Sequence, residues 1–252
     1  MWNRSTRGPS IPFSYIWLRQ PALRPPSLAS LRCIRSPASS QQQLIMTSWR
    51  QPDRPLVLAS CSPRRSQILR QLGLSFEVVP PRIHDEESFL RGDDIEDSVK
   101  ELAAAKAQEV ALRRPDALVL GADTIVVADG RILGKPTGND DARAMLRALS
   151  GRTHQVCSGV ALLCGSANFR AAGVACTRVV FRALHSQEIN EYIDTKEHVD
   201  KAGAYGIQGA AAAFVERIEG CYYNVVGLPV SATLTLLANY SDRKDTAHVG
   251  TH

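Results

Sequence analysis

The segment Leu58-Ala59-Ser60-Cys61-Ser62-Pro63-Arg64-Arg65-Ser66 gathers hydroxyls and guanidinium groups where an apolar run gives way to a helical one. Ser62 suits an N-cap and Pro63 a first helical position. Arg64 and Arg65 then fall in the first turn, where the positive end of the helix dipole disfavours cations. An anion resolves that conflict, since free N–H groups, the Ser60 and Ser62 hydroxyls and guanidinium forks all suit phosphate. The plain alternative is a solvated helix start with two surface arginines.

Other segments offer complementary chemistry. Around Lys106 the helical apolar stripe reads Val99, Leu102, Ala103, Lys106, Val110, so the ammonium lies in mid-stripe. It either snorkels past the edge or enters a cleft and meets an anion. In Leu118-Val119-Leu120-Gly121-Ala122-Asp123-Thr124-Ile125-Val126-Val127 a carboxylate interrupts an apolar run. That is costly unless the carboxylate is paired, hydrogen-bonded or metal-bound. Gly121 before it implies a bulge or a close backbone approach. The acidic loop Asp85-Glu86-Glu87 offers a second carboxylate, and Gly134-Lys135-Pro136 another lysine. In Asp200-Lys201-Ala202-Gly203-Ala204-Tyr205-Gly206-Ile207-Gln208-Gly209 the three glycines allow close approach to a ligand. Gln208 could pair donor and acceptor with a planar amide edge.

These residues need a frame, and periodicity supplies one. A short buried strand over 56–59 leads into a helix over 63–72, then a strand over 76–79 and a polar acidic loop over 80–94. A helix over 97–113 ends before Pro115. The apolar run 117–128 turns at Asp129-Gly130 into 131–133, a hairpin signal. Asn139 caps a helix over 140–149 that Gly151 stops. Long strands over 153–164 and 168–181 meet at Gly165-Ser166. A helix over 186–195, the glycine-rich loop, a strand over 213–218 and a helix over 229–240 follow, with a frayed polar tail over 241–252. Strands and helices mix irregularly around a hairpin, so the fold class is α/β with a mixed sheet.

Net charge first suggests nucleic acid, and its distribution removes the suggestion. The 252 residues carry +5, from 30 Lys plus Arg against 25 Asp plus Glu. Residues 1–52 hold seven arginines and no acid. Setting those seven aside leaves 23 basic residues against all 25 acidic ones, a body of net −2 without a basic footprint. The Arg-, Ser- and Pro-rich leader has the composition of a mitochondrial or plastid transit peptide; a disordered extension and a true start at Met46 compete. No apolar run reaches the roughly 18 residues of a membrane span. The six cysteines are scattered without a C-x-x-C pair, which argues against zinc and against a disulfide framework and makes a reducing compartment the default. Phosphate-loop, zincin and nucleophile-elbow signatures are absent.

Six motifs in register resemble one family. They are Leu58-Ala59-Ser60-x-Ser62-Pro63-Arg64-Arg65, Gly121-Ala122-Asp123-Thr124, Gly134-Lys135-Pro136, Ser150-Gly151-Arg152-Thr153-His154, the segment 200–209, and Phe214-Val215-x-x-Ile218-x-Gly220-x-Tyr222-x-Asn224-Val225-Val226-Gly227-Leu228-Pro229. Together they look like the Maf family of nucleoside triphosphate pyrophosphatases, over about residues 56–240, and like its dTTP/UTP branch through the glutamine-containing motif. The resemblance implies hydrolysis of a nucleoside triphosphate to monophosphate and pyrophosphate with Mg²⁺ or Mn²⁺, as house-cleaning of the nucleotide pool. It also implies an elongated mixed sheet in two lobes with a central cleft, similar to inosine triphosphatase. A cytoplasmic homodimer is implied too, with the leader as an alternative route to an organelle.

Carried over, the resemblance makes Ser60, Ser62, Arg64, Arg65, Lys106, Thr124, Lys201 and Gln208 substrate-binding. Asp123, Lys135 and an acidic-loop carboxylate become catalytic, with Asp123 and Glu86 as metal ligands. Counting from Phe76 without gaps points to Asp85; an Ile/Val-Asp-Glu pattern with His84 inserted points to Glu86. The rival reading is a non-enzymatic interaction protein on the same fold.

Overall fold

A computed structural model describes residues 51–91 and 94–248. Of the leader, only Gln51 and Pro52 lie among the described residues; Gln51 exchanges hydrogen bonds with the Ser75 backbone. The chain runs β1 (Leu56–Ala59), α1 (Pro63–Gln71), β2 (Glu77–Val78), a 3-10 turn (Glu87–Arg91), α2 (Ile95–Arg113), β3 (Leu118–Ala128), β4 (Arg131–Leu133) and α3 (Asn139–Leu149). It continues through β5 (Thr153–Cys164), β6 (Phe169–Phe181), α4 (Ser186–Asp194), 3-10 turns at Ala202–Ala204 and Ala210–Phe214, β7 (Val215–Glu219), α5 (Tyr222–Val226) and α6 (Val230–His248).

The sheet is mixed, as its irregular element order implied. Its order is β2-β1-β3-β5-β6-β7, with β4 on β3. β1 is parallel to β2 and β3, and the remaining pairs are antiparallel. Side-chain alternation along β3 sorts the core. Val119 faces α2, with Val57, Ala103, Ala107 and Val110. On the opposite face Leu120 meets α1 and α6 through Leu69, Leu236 and Leu237. Further along that face Val126 meets α3 and α4 through Leu146, Leu149 and Ile193. Between these two apolar clusters the inward positions turn polar: Thr124 on β3 and Ser158 opposite it on β5. That break separates two helix groups on one face, while α2 spans the other.

Gly121 and Gly159 explain how closely α2 lies on the sheet. A Cβ at Gly121 would stand 2.3 Å from the Ala103 carbonyl oxygen, and one at Gly159 2.3 Å from that of Val99. Close backbone approach, one of the two readings of Gly121, is the one realised.

Several expectations need correction. Cys157 and Cys176 form a disulfide. They are distant in sequence but directly opposite on β5 and β6, because the hairpin register pairs them. Cys61, Cys164 and Cys221 are free. Asn139 does not cap α3; Gly138 holds the N-cap position, and the Asn139 amide oxygen lies 3.1 Å from His198 Nε2. The final helix continues through residues read as a frayed tail to His248, and α5 was not anticipated.

Two measurements check this packing. Gly121→Ala should overpack the α2–sheet contact and cost about 1–3 kcal/mol or more. Gly134→Ala serves as the neutral control, because no heavy atom lies within 4 Å of the place its new Cβ would take. Equal thermal midpoints for the two variants would contradict the close approach. His154, 2% exposed, shares a 2.7 Å hydrogen bond with the Tyr205 hydroxyl, and burial pushes its imidazole down to about 4. A depressed histidine leaves the unfolded chain binding the extra proton. Stability is therefore full above the ordinary value of 6.5 and falls as pH drops toward about 4. The loss should be about 3 kcal/mol. Urea unfolding across that window should show a flatter pH slope for His154→Gln; identical slopes would contradict the assignment.

Candidate active site

A gap in the sheet makes the site. β1 ends with Ala59 opposite Gly121, and the β4 pairing begins with Leu133 opposite Val126. Residues 122–125 of β3 therefore have β5 on one side and no strand on the other among the described residues. The gap lies beyond the C-terminal end of parallel β1, where open α/β sheets place ligands.

The first group to enter it is Lys106. Because α2 lies so close to the sheet, the Lys106 ammonium reaches Asp123 Oδ1 at 2.6 Å and Glu86 Oε1 at 2.7 Å. Its side chain is 8% exposed, that of Asp123 12% and that of Glu86 41%. The lysine thus enters the cleft rather than snorkelling away, and the carboxylate in the apolar run is paired, as its burial required. Asp85 and Glu86 separate in geometry. Asp85 accepts a hydrogen bond from the Ser88 N–H at 3.0 Å and stays exposed, capping the 3-10 turn, while Glu86 faces Lys106.

The second group surrounds Arg65. Its Nε donates to the Gly227 carbonyl at 2.8 Å, Nη1 to Ser60 Oγ at 3.0 Å and Nη2 to Thr124 Oγ1 at 3.1 Å. Thr124 Oγ1 shares a 2.8 Å hydrogen bond with Ser158 Oγ. Asn224 extends the network by donating to the Val156 carbonyl and to Thr177 Oγ1. Arg65 and Thr124 therefore bind the end of β1, the middle of β3 and the loop after α5 into one frame. Burial lowers the Arg65 pKa; Asp123 and Glu86 oppose that effect, and neighbouring Arg64 adds to it.

Ser62 occupies the N-cap of α1 without a capping side-chain bond; its N–H donates to Ser60 Oγ at 3.1 Å. Arg64 beside it makes no ion pair among the described residues. Burial lowers its pKa against the opposing pull of Asp200 and Tyr192. Lys201, in the loop after α4, is lowered by burial and by the like charge of Arg64. The Lys201 ammonium donates to the Glu197 carbonyl. Lys135 and Gln208 are both exposed. Their loops are joined where the Gly203 N–H donates to the Gly134 carbonyl at 3.0 Å.

The sequence-derived candidates thus fall into a carboxylate–lysine–carboxylate contact buried at Asp123 and Lys106 and partly exposed at Glu86, an arginine–hydroxyl frame, and exposed groups on loops that are tied together. Ser158 and Tyr192 were missed. Ser158 could have been found as a hydroxyl at an inward position of an apolar strand. Tyr192 carried no local signal. A surface hollow of about 420 Å³ near Ile95, Asp129 and Arg178 is lined by none of the candidates.

Chemically, the arrangement offers unneutralised cations and hydroxyls to an anionic ligand, beside two carboxylates able to take a proton or a hard cation. Comparison with known proteins agrees. A family model described as Maf-like protein matches residues 55–240. A dTTP/UTP pyrophosphatase of Moorella thermoacetica is 51% identical over 183 residues, which cover 73% of this chain and 93% of the relative. One of Geobacillus sp. is 50% identical over 179 residues, covering 71% and 94%. One of Symbiobacterium thermophilum is 48% identical over 185 residues, covering 73% and 93%. With a match spanning all the elements from β1 into α6, and with the site in the gap those elements create, the chain belongs to the Maf family.

Proposed function

We propose that the protein hydrolyses dTTP and UTP to the monophosphate and pyrophosphate, clearing such triphosphates from the nucleotide pool. The observation that carries this reading is the Lys106 ammonium held between Asp123 and Glu86 beside the arginine-bearing start of α1. The name shared by the relatives supports the choice of substrate. An intact set of cleft charges favours an enzyme over an interaction scaffold.

In the reaction a water oxygen forms a bond to the α-phosphorus while the bond from that phosphorus to the α,β-bridging oxygen breaks. The electron pair leaves with pyrophosphate. Such transfers depend mainly on positioning and on charge neutralisation. Arg64, Lys106, Lys135 and Lys201 neutralise phosphate oxygens, with the free N–H groups at the start of α1 adding to them. Arg65 and Thr124 hold Ser60 and the end of β1 in place. Asp123 orients the water and accepts its proton. Glu86 pairs with Lys106 and aligns it, while Asp85 serves as a cap outside the chemistry. Gln208 pairs with O4 and N3–H of a uracil or thymine ring.

The donor set also fits a divalent metal ion. Two carboxylates flank the Lys106 ammonium, and hard oxygen ligands of this kind suit Mg²⁺ or Mn²⁺, although no third His, Cys, Asp or Glu joins them among the described residues. Asp123 and Glu86 would hold it, and when bound it would supply further neutralisation of the triphosphate. We further propose a homodimer, as the family resemblance implies; sedimentation equilibrium returning only the monomer mass would overturn this.

Pyrophosphate release tests the assignment. Asp123→Asn keeps the side-chain shape and leaves Lys106 its Glu86 partner, and should lower turnover roughly 10²-fold or more, as should Lys135→Ala. A folded Asp123→Asn protein with near-normal release would refute the role. Gln208→Ala should reduce the preference for dTTP and UTP over purine triphosphates about tenfold; an unchanged preference would remove Gln208 from base reading. Cys61 supplies a test independent of turnover, because it is an exposed free thiol inside the phosphate-binding segment. Nucleotide should slow its alkylation by a maleimide, and an unaltered rate at saturating nucleotide would place the ligand elsewhere.

A further inference from the structure

The segment carrying Gln208 is held from behind by a residue with no part in the chemistry so far. The Gly209 N–H donates to the Gly206 carbonyl at 3.1 Å, which closes a turn with Ile207 and Gln208 at its centre. Ile207 is 9% exposed and packs into the core, whereas Gln208 is exposed at the tip. The inner side of the turn is therefore anchored by apolar burial. Its outgoing side is anchored by Glu197, whose Oε2 accepts the Ala210 N–H at 2.9 Å.

Two glycines make room for that anchor. A Cβ at Gly209 would stand 1.9 Å from Glu197 Oε2, so the carboxylate fills the place a side chain there would take. A Cβ at Gly206 would stand 2.7 Å from Lys201 Cε, and the Lys201 ammonium in turn donates to the Glu197 carbonyl. Glu197 is thus gripped through its main chain by the lysine on one side of the turn and grips the other side through its carboxylate. Its own conformation is set locally: Lys196 before it has φ of +61°, and the Glu197 N–H donates to Thr195 Oγ1 at 3.2 Å. The spacing of glycines at 206 and 209 then has a concrete cause, since each leaves space for a side chain of the same clamp rather than for the ligand itself.

We infer that Glu197 is a positioning residue for base recognition, acting through the Gly206–Gly209 turn to fix where the Gln208 amide is presented. The inference rests on the base-reading role proposed for Gln208 and extends it to the residue that makes that role geometrically possible. A glutamine side chain on a loose turn would still form hydrogen bonds, but with many base edges. Discrimination between bases needs one presentation, because it is a difference of two binding free energies. The Glu197 carboxylate is not among the partners of Lys106, and the main-chain carbonyl that holds Lys201 survives substitution, so loss of the side chain should act on KM for the preferred bases more than on kcat.

The test compares Glu197→Ala, Glu197→Gln, Gln208→Ala and the Glu197→Ala/Gln208→Ala double variant in the full chain, with dTTP, UTP and purine triphosphates. Glu197→Ala should lose most of the discrimination that Gln208→Ala loses, about tenfold, chiefly through KM. The double variant should lose little more than either alone, because the two residues act in series. Glu197→Gln keeps an acceptor oxygen for the Ala210 N–H and should restore most of the preference. Amide hydrogen exchange over 206–214 should accelerate in Glu197→Ala and not in Gln208→Ala, which shows the clamp without reference to activity. Discrimination or exchange unchanged by Glu197→Ala, while Gln208→Ala lowers discrimination, would overturn the inference alone. Discrimination unchanged by Gln208→Ala would overturn the base-reading role and this inference with it.

Discussion

Everything about this site follows from one buried contact, the Lys106 ammonium between the carboxylates of Asp123 and Glu86. A charge inside a protein is tolerated when it is paired or fully hydrogen-bonded, and breaking a buried pair leaves an uncompensated ion at a cost of about 3–5 kcal/mol. The contact needs an α2 backbone that touches the sheet, which Gly121 and Gly159 permit and any larger residue would prevent. It also needs β1 to stop short, which leaves residues 122–125 of β3 without a strand on that side among the described residues. Stability and chemistry are coupled here, because the residues most expensive to bury are those the reaction would use.

The second organising feature is the polar break between two apolar clusters on the face away from α2. Thr124 and Ser158 sit where the alternation would otherwise place aliphatic side chains; Arg65 donates to Thr124, and the Ser158 hydroxyl donates to the Asn224 carbonyl. Continuous apolar residues would have joined the helix pairs α1–α6 and α3–α4 into one layer. With the break they form separate groups, which is how one sheet carries two lobes and a cleft without a linker. Partly buried cations then come from both sides: Arg64 from the start of α1 and Lys201 from the loop after α4. A polyphosphate bridging them would relieve the repulsion between like charges.

Much of this was legible in the sequence, for identifiable reasons. Asp123 in an apolar run and Lys106 in an apolar stripe each broke a burial pattern, and such violations tend to mark function. The mixed sheet followed from irregular element order and a hairpin at Asp129-Gly130. What escaped was set by distance in the chain. Asp85 and Glu86 are adjacent, and only the path of the loop decides which one turns toward Lys106. The Cys157–Cys176 disulfide depended on strand register. A turn centred between Ser166 and Ala167 makes those two residues partners, so the signal was present in the hairpin though not in cysteine spacing. Asn139 looked like a cap by type but serves a long-range contact with His198, which no local rule could disclose.

The central claim is that this cluster directs water at the α-phosphorus of a nucleoside triphosphate. Hydrolysis of dTTP in water enriched in ¹⁸O, with both products analysed by mass spectrometry, tests it most directly. Attack at the α-phosphorus places the label in the monophosphate and leaves pyrophosphate unlabelled. Label in pyrophosphate, or release of orthophosphate in its stead, would contradict the account.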